Sequence, residues 1–343
     1  MMRLPSYRYR APKTVADAAA WLAESPADTM LLAGGTDLIP NMKRGQQTPA
    51  TVVGLRGVAE LSQLHEHDGL RVGAGVTLTA LVYDARIRAN YAGLWQAAAQ
   101  IATPHLRNMG TIGGNICLDT RCTYYDQSHE WRRAINFCMK KDGDTCWVAT
   151  SSDRCLAVSS TDSAPALIAL GATVRLVSAS GTRDVALTDL YVNDGMHYLT
   201  RRADEILTSV QLPASTGWRS TYWKLRRRGS FDFPVASVAA AARMDGDVVV
   251  EARIVLGAVA SRPIEVPAAA ERLAGQRLTD DLIASVADDA YALAKPMDNT
   301  DFELLWRKKT VRSLVTSALR ELRGDDMREA RTKLARHPLI VVS

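Results

Sequence analysis

Cysteine is missing from most of this 343-residue chain: residues 1–116 and 156–343 contain none. Also missing is the dinucleotide fingerprint G-x-G-x-x-G, since Gly73 and Gly75 lack the third glycine, and no P-loop lysine motif occurs. Rossmann and nucleotidase readings are therefore disfavoured. No apolar stretch reaches membrane-spanning length. The N-terminal MMRLPSYRYRAPK is basic but has neither an apolar h-region nor a small-residue cleavage site. A cytoplasmic protein without a membrane span is the expectation. Charge of one sign is also scarce, with a net charge of only +5 and a pI of about 9.0. That excess suits anionic ligands such as phosphates or CoA without arguing for nucleic acid. The one dense basic run, Arg226-Arg227-Arg228 after Lys224, lies in a strand-like segment and lacks the interleaved aromatics of a single-strand binder.

What is present is an ordinary globular composition, 47% hydrophobic and 23% charged, long enough for two or three domains. Thr14 can cap a helix with Asp17 three residues on. An apolar run, Met30–Ala33, follows, and Thr51–Leu55 reads as a second strand. Val58–Leu64, Thr77–Tyr83 and Leu94–Ala102 read as helices, and Gly69–Val76 as a strand. After an aperiodic stretch come a helix at Ala164–Leu170 and strands at Thr173–Ser178 and Ile206–Leu212. Ser220–Arg226, Pro234–Met244 and Val248–Val259 suggest an antiparallel sheet. Helices are expected at Ala268–Leu273, Asp280–Leu293 and Asn299–Leu322. The fold class is α+β. The expected divisions are 1–57, 58–217 with an insertion at 116–160, 218–325, and a C-terminal tail at 326–343.

Two glycine pairs stand out, in Leu32–Asp37 and Gly110–Asn115. A strand that ends in paired glycines lets backbone N–H groups approach a ligand closely, and a neighbouring Thr or Asn adds a side-chain donor. Either could be an ordinary tight turn. At matched positions in two α/β units, they could grip the two halves of a pyrophosphate.

The five cysteines, Cys117, Cys122, Cys138, Cys146 and Cys155, fall within 39 residues at gaps of 4, 15, 7 and 8. Such clustering in a reducing compartment points to metal rather than disulfides. The gaps match neither zinc-ribbon or finger spacing nor the tight bacterial ferredoxin run. A loop-borne site of four cysteines remains, [4Fe–4S] or structural zinc. Cys117 follows the second glycine turn by two residues and is the natural spare, leaving Cys122, Cys138, Cys146 and Cys155. Trp131 and Trp147 read as packing and His129 as a surface histidine. Lys140-Lys141 reads as a solvated pair or a dock for an acidic electron donor.

Several segments carry a resemblance. LLAGGTDLIPNMK from Leu31, RNMGTIGGNIC from Arg107 and SSTDSAPALIALGA from Ser159 resemble the FAD-binding subunit of the xanthine dehydrogenase and molybdenum hydroxylase family. RRRGSFDFPVASVAAA from Arg226, LGAVASRP from Leu256 and KPMDNTDFELLWRKKTV from Lys295 are similar to its C-terminal domain. Most such subunits pass from the GGN turn to the Asp-x-x-Pro segment by a short connection. Here the cysteine region is inserted between Asn115 and Asp162. LDTRCTYYDQSHEWRRAINFCMKKDGDTCW from Leu118 resembles the β subunit of 4-hydroxybenzoyl-CoA reductase, which carries an extra [4Fe–4S] cluster. Periplasmic-type aldehyde oxidoreductases, with a related cluster-bearing flavin subunit, differ more in this region.

The resemblance implies two α/β subdomains of the vanillyl-alcohol-oxidase type holding FAD between them, then an antiparallel sheet with a helical bundle. It implies FAD contacts at Leu31, Leu32, Ala33, Gly34, Gly35 and Thr36, and at Thr111, Ile112, Gly113, Gly114 and Asn115, with more at Ile101, Asp162 and Lys224. His105 stands where the family often has a polar, amide-like residue. The implied partners are a large molybdopterin subunit, a small [2Fe–2S] subunit and ferredoxin as donor, assembled as a dimer of heterotrimers. The implied role is electron transfer in aromatic compound degradation, with no substrate chemistry on this chain. The rival readings are the flavin subunit of an aldehyde or N-heterocycle hydroxylase, and a zinc-stapled nucleotide-binding scaffold.

Overall fold

Three sheets, each built for a different neighbour, organise the chain. The computed structural model describes residues 3–300 and 302–336. In the first sheet, β1 (Arg8–Arg10), β2 (Thr29–Leu32) and β3 (Thr51–Gly54) pair in parallel in the order β1-β3-β2. Parallel strands need a crossover. The helix Val15–Glu24 supplies one, its first turn closed by the Thr14 hydroxyl accepting from the Asp17 N–H at 3.0 Å. Ala18, Ala19 and Leu22 form its buried stripe and pack with Val53 and Ile206.

The second sheet is antiparallel. It joins β4 (Leu64–Glu66), β5 (Leu70–Gly73), β6 (Thr173–Ser178), β7 (Gly181–Ala186) and β8 (Ile206–Leu212) in the order β4-β5-β8-β6-β7. The helix expected over 58–64 is a 3-10 turn, Ala59–Ser62, running into β4. Tertiary contact decides this. Gly73 and Gly75 donate backbone hydrogen bonds to Gln63 and Leu61, both at 2.7 Å, and a Cβ on Gly73 would lie 2.3 Å from the Leu61 carbonyl oxygen. The glycines that hinted at a nucleotide fingerprint are there for this backbone packing. The strand β7 carried no clear pattern, because it is an edge with exposed and half-buried residues only.

The third sheet is the antiparallel one expected after residue 218: β9 (Trp218–Leu225), β10 (Ala236–Asp245), β11 (Val248–Gly257) and β12 (Ile264–Glu265) in the order β12-β11-β10-β9. Residues 236–242 of β10 are all buried, so this strand is covered on both faces. Ala239 and Ala241 join the core of the first part, while Ala236, Val238, Ala240 and Ala242 join a second core. Side chains alternate between sheet faces, and small alanines let both neighbours come close. The second core is completed by the helices Pro267–Leu273, Asp280–Leu293 and Leu304–Arg323.

Two boundaries shift. The last long helix begins at Leu304, not Asn299. Asn299 is held instead by its amide donating to the Leu156 carbonyl at 2.6 Å and accepting from Arg307 at 3.3 Å. The start of the segment expected to be a tail is a helix, Arg328–Arg336. Its Arg331 pairs with Glu321 at 2.5 Å and donates to the Tyr222 carbonyl at 3.2 Å. The remainder of that segment, residues 337–343, lies outside the described residues.

Candidate functional site: a nucleotide cleft beside a cysteine cavity

The chain leaves β2 through Ala33–Asp37, with Gly35 at φ 75°, and enters the short helix Leu38–Lys43. Positive φ is costly for any side chain, so Gly35 supplies the turn. Gly34 has a different task. A Cβ there would stand 1.9 Å from the Met109 carbonyl oxygen and 2.9 Å from the Gly110 Cα, so the first turn rests directly on the second.

That second turn differs from the expectation. Gly113 and Gly114 do not end a strand; they sit inside a one-turn helix, Ile112–Ile116, capped by the Thr111 hydroxyl accepting from the Gly114 N–H at 3.1 Å. Tertiary backbone bonds override the turn signal: Ile112 donates to Val76 at 3.0 Å and Gly113 to Ala74 at 2.9 Å. A Cβ on Gly113 would meet the Ala74 Cβ at 2.6 Å. Asn115 fastens the far end, its Oδ1 accepting from the Thr161 hydroxyl (2.9 Å), the Ser163 hydroxyl (2.6 Å) and the Ser163 N–H (3.2 Å).

Between the two turns lies a cleft of about 590 Å³, in the size range of roughly 300–1,000 Å³ for ligand sites. Of the expected contacts, Leu31 to Thr36, Ile101, Thr111, Gly113, Gly114 and Asn115 line it. Ile112, Asp162 and Lys224 do not, and neither does exposed His105. Ile112 points into the core. Asp162 and Lys224 bind each other at 2.9 Å, both buried, while the Tyr222 hydroxyl donates to Asp162 at 2.6 Å. Burial pushes the Asp162 pKa up and the Lys224 pKa down, and the ion pair opposes both shifts. Lys224 also donates to the Gln100 carbonyl at 3.2 Å, next to Ile101 in the cleft wall. The pair supports the wall from behind.

No local motif marks Arg56, Arg121 and Arg201, all three of which line the cleft. Arg121 pairs with Asp37 at 2.6 Å and lies 4.0 Å from the Phe233 ring centroid. Burial raises the Asp37 pKa against the pull of Arg121. A cleft with glycine turns at both ends, apolar walls and several arginines fits a large dinucleotide with an anionic middle.

Beyond the cleft, Cys122, Cys138, Cys146 and Cys155 are all buried and line one small separate cavity. Cys117 is apart from them and lines the large cleft. The aperiodic segment is ordered by its own bonds: Trp147 Nε1 donates to the Phe137 carbonyl, and Asn136, Phe137 and Asp142 take φ values of 61°, 58° and 70°. Burial pushes the Cys122 thiol up to about 12. It pushes Cys155 up to about 11, opposed by the Ala157 N–H and the charge of Lys140. Metal binding would have to displace those protons. Among the described residues, no three His, Cys, Asp or Glu side chains are close enough to hold a single metal ion.

Two buried cations belong to the cysteine segment, and of these Lys140 lines the cavity. Arg132 is fully buried, none of its three guanidinium nitrogens has a hydrogen-bond partner, and its nearest carboxylate is Asp142 at 3.5 Å. Lys140 corrects the surface-pair reading. Its side chain is only 6% exposed and bonds Asp119 at 2.8 Å. Lys141 is half-buried beside Asp142. Trp147 lines the cavity, whereas Trp131 is 40% exposed and His129 lies exposed against Phe137.

Fold and cleft together define a flavin-binding subunit with a separate C-terminal domain. Comparison with known proteins agrees. Residues 5–215 match the FAD binding domain in molybdopterin dehydrogenase, and residues 220–322 match the CO dehydrogenase flavoprotein C-terminal domain. The chain belongs to this family, the FAD-binding subunits of the molybdenum hydroxylases and CO dehydrogenases. It is 31% identical to the FAD-binding subunit of an aldehyde oxidoreductase from Escherichia coli, over 92% of this chain and 99% of that one. It is 28% identical to the carbon monoxide dehydrogenase medium chain of Hydrogenophaga pseudoflava, over 92% and 96%. The structure of carbon monoxide dehydrogenase from that organism superposes with a TM-score of 0.77 at 26% identity, covering 94% of this chain and 99% of that one. Quinoline 2-oxidoreductase from Pseudomonas putida gives 0.74 at 25% identity, covering 94% and 98%.

Proposed function

We propose that this chain is the FAD- and [4Fe–4S]-containing electron-transfer subunit of a molybdenum enzyme. Its partners would be a large molybdopterin subunit and a small [2Fe–2S] subunit. The observation that carries the reading is the placement of four buried cysteines around one cavity, one ion pair away from the flavin cleft. Bound FAD would supply exchange of one or two electrons, and bound cluster would supply single-electron transfer. The protein's own part is to hold the two sites rigid, dry and close. The glycine turns and the Asp162–Lys224 support fix the cleft, and Cys122, Cys138, Cys146 and Cys155 provide the thiolates.

The substrate pocket would belong to the large subunit. The likeness of Leu118–Trp147 to the β subunit of 4-hydroxybenzoyl-CoA reductase favours reductive removal of the phenolic hydroxyl of 4-hydroxybenzoyl-CoA to give benzoyl-CoA. Electrons would enter from ferredoxin. The likeness to the aldehyde oxidoreductase subunit favours a second reading, aldehyde oxidation with electrons flowing outward. Purification of the anaerobic complex, with iron, sulfide, zinc and flavin analysis, tests the cofactor claim. About four iron and four sulfide per FAD beyond the small subunit's [2Fe–2S] content are expected, lost on Cys→Ser change at any of the four positions and persisting in Cys117→Ser. Zinc in place of that additional iron and sulfide would overturn it. Turnover of 4-hydroxybenzoyl-CoA against an aldehyde panel separates the two substrate readings.

A further inference from the structure

Lys140 and Asp119 occupy the partition between the two cavities. Lys140 lines the cysteine cavity and Asp119 lines the flavin cleft, so their ion pair passes through the wall. The lysine is held from every side. Its Nζ donates to Asp119 Oδ1 at 2.8 Å, Thr120 Oγ1 at 2.6 Å and the Gly195 carbonyl at 2.6 Å. It also stands 4.9 Å from the Tyr125 ring centroid and 5.6 Å from that of Tyr198. Tyr125 lines the cysteine cavity and Tyr198 the cleft, so one ammonium lies against a wall residue of each. Asp119 is equally fixed, with its Oδ2 accepting from the Tyr125 hydroxyl and from Gln47 Nε2, both at 3.3 Å.

A buried lysine with this many partners is costly to place. A hydrophobic pair would close the same wall with no charge to desolvate. A fixed charge does what such a pair cannot, because in a low-dielectric interior it changes the energy of adding an electron nearby.

We propose that Lys140 is a positioning residue for electron transfer, a fixed positive charge that raises the reduction potentials of the sites on both sides of the wall, with Asp119 setting how much of that charge is felt. The inference rests on the reading that the two cavities hold FAD and a cluster. Its sign follows from charge alone. Each cofactor gains negative charge on reduction, so an adjacent cation favours the reduced form and an adjacent carboxylate disfavours it.

The test is a potentiometric titration of the purified holoenzyme, following flavin by absorbance and cluster by electron paramagnetic resonance, with FAD, iron and sulfide measured per chain. Lys140→Met should lower the flavin and cluster midpoints, and Lys140→Arg should restore most of both. Asp119→Asn should raise both, and the double variant should return toward wild type. A residue that only closes the wall would give shifts of one sign for Lys140→Met and Asp119→Asn, or none, and either result overturns the proposal. Should Lys140→Met not fold, the direction of the Asp119→Asn shift decides: upward supports, downward or unchanged overturns. If the wild type contains no iron and sulfide beyond the small subunit's [2Fe–2S] content, the cluster reading fails on that assay. The opposed flavin shifts then still decide the role of Lys140.

Discussion

The missing side chain of Gly34 lets the Met109 carbonyl oxygen come to within 1.9 Å of where its Cβ would be, so the two halves of the flavin cleft touch backbone to backbone. Gly34→Ala must push the turns apart. We expect a stability loss of about 1–3 kcal/mol, as for overpacked sites, and an FAD content at least about tenfold lower, since the proposed FAD site needs both turns in register. Gly114→Ala is the comparison, because there a Cβ would meet only the Thr111 hydroxyl at 3.1 Å. Flavin absorbance per chain after gel filtration measures both.

Behind the cleft, removing one member of the Asp162–Lys224 pair strands the other charge in the core. Asp162→Asn or Lys224→Met should each cost about 3–5 kcal/mol. The double variant should cost less than the sum of the two, as expected for directly coupled neighbours. Urea denaturation of the four proteins closes the cycle. The pair does not line the cleft, so FAD affinity should fall less than stability does.

Much of this was legible in the sequence, and the exceptions share one cause. Thr14 caps a helix where local chemistry predicts it, and the helix Asp280–Leu293 and the strands Thr173–Ser178 and Ile206–Leu212 match to the residue. Local rules decide these elements. Long-range contacts decide the others. Gly113 lies in a helical turn because Ala74 and Val76 bind that backbone. Asp162 and Lys224 are 62 positions apart, and their partnership has no local trace. Lys140 looks like half of a surface pair in sequence, yet Asp119, Thr120 and Gly195 enclose it. Its burial follows from the fold of the cysteine segment, which has no periodicity to read.

Acid should loosen the β8 side of the cleft. Glu205 takes a two-pronged bond from Arg183 at 2.7 and 2.8 Å, which holds its carboxyl below the ordinary value of 4.5. A depressed carboxylate adds stability above its unfolded pKa and loses it as pH falls through the folded value. Arg201, in the cleft lining, donates to the Glu205 carbonyl at 2.5 Å and depends on the same loop. Glu205→Gln should therefore be less stable than wild type at pH 7, with the gap closing as pH falls below the ordinary value of 4.5. Thermal melts across that range are the measurement, and a gap independent of pH would show that the charge is immaterial.

Arg132 offers a prediction whose sign depends on the cofactor. Without a cluster, its three nitrogens are buried with no hydrogen-bond partner, and only Asp142 at 3.5 Å offsets the charge. Asp142 is 39% exposed, so removing Arg132 leaves no buried carboxylate behind and relieves the desolvation of the guanidinium. In the metal-free protein, Arg132→Met should leave the melting temperature unchanged or raised. In the loaded protein the same substitution removes a buried positive charge from the helix His129–Ala134, whose Arg132 carbonyl accepts from the N–H of Phe137, the neighbour of Cys138. There we expect faster loss of iron and sulfide on exposure to chelator, by about tenfold, as when outer partners of metal ligands are removed. Destabilisation in both states would mark Arg132 as packing alone. Opposite signs would tie its burial to the cluster, because only an anionic neighbour turns an orphaned guanidinium from a cost into a contribution.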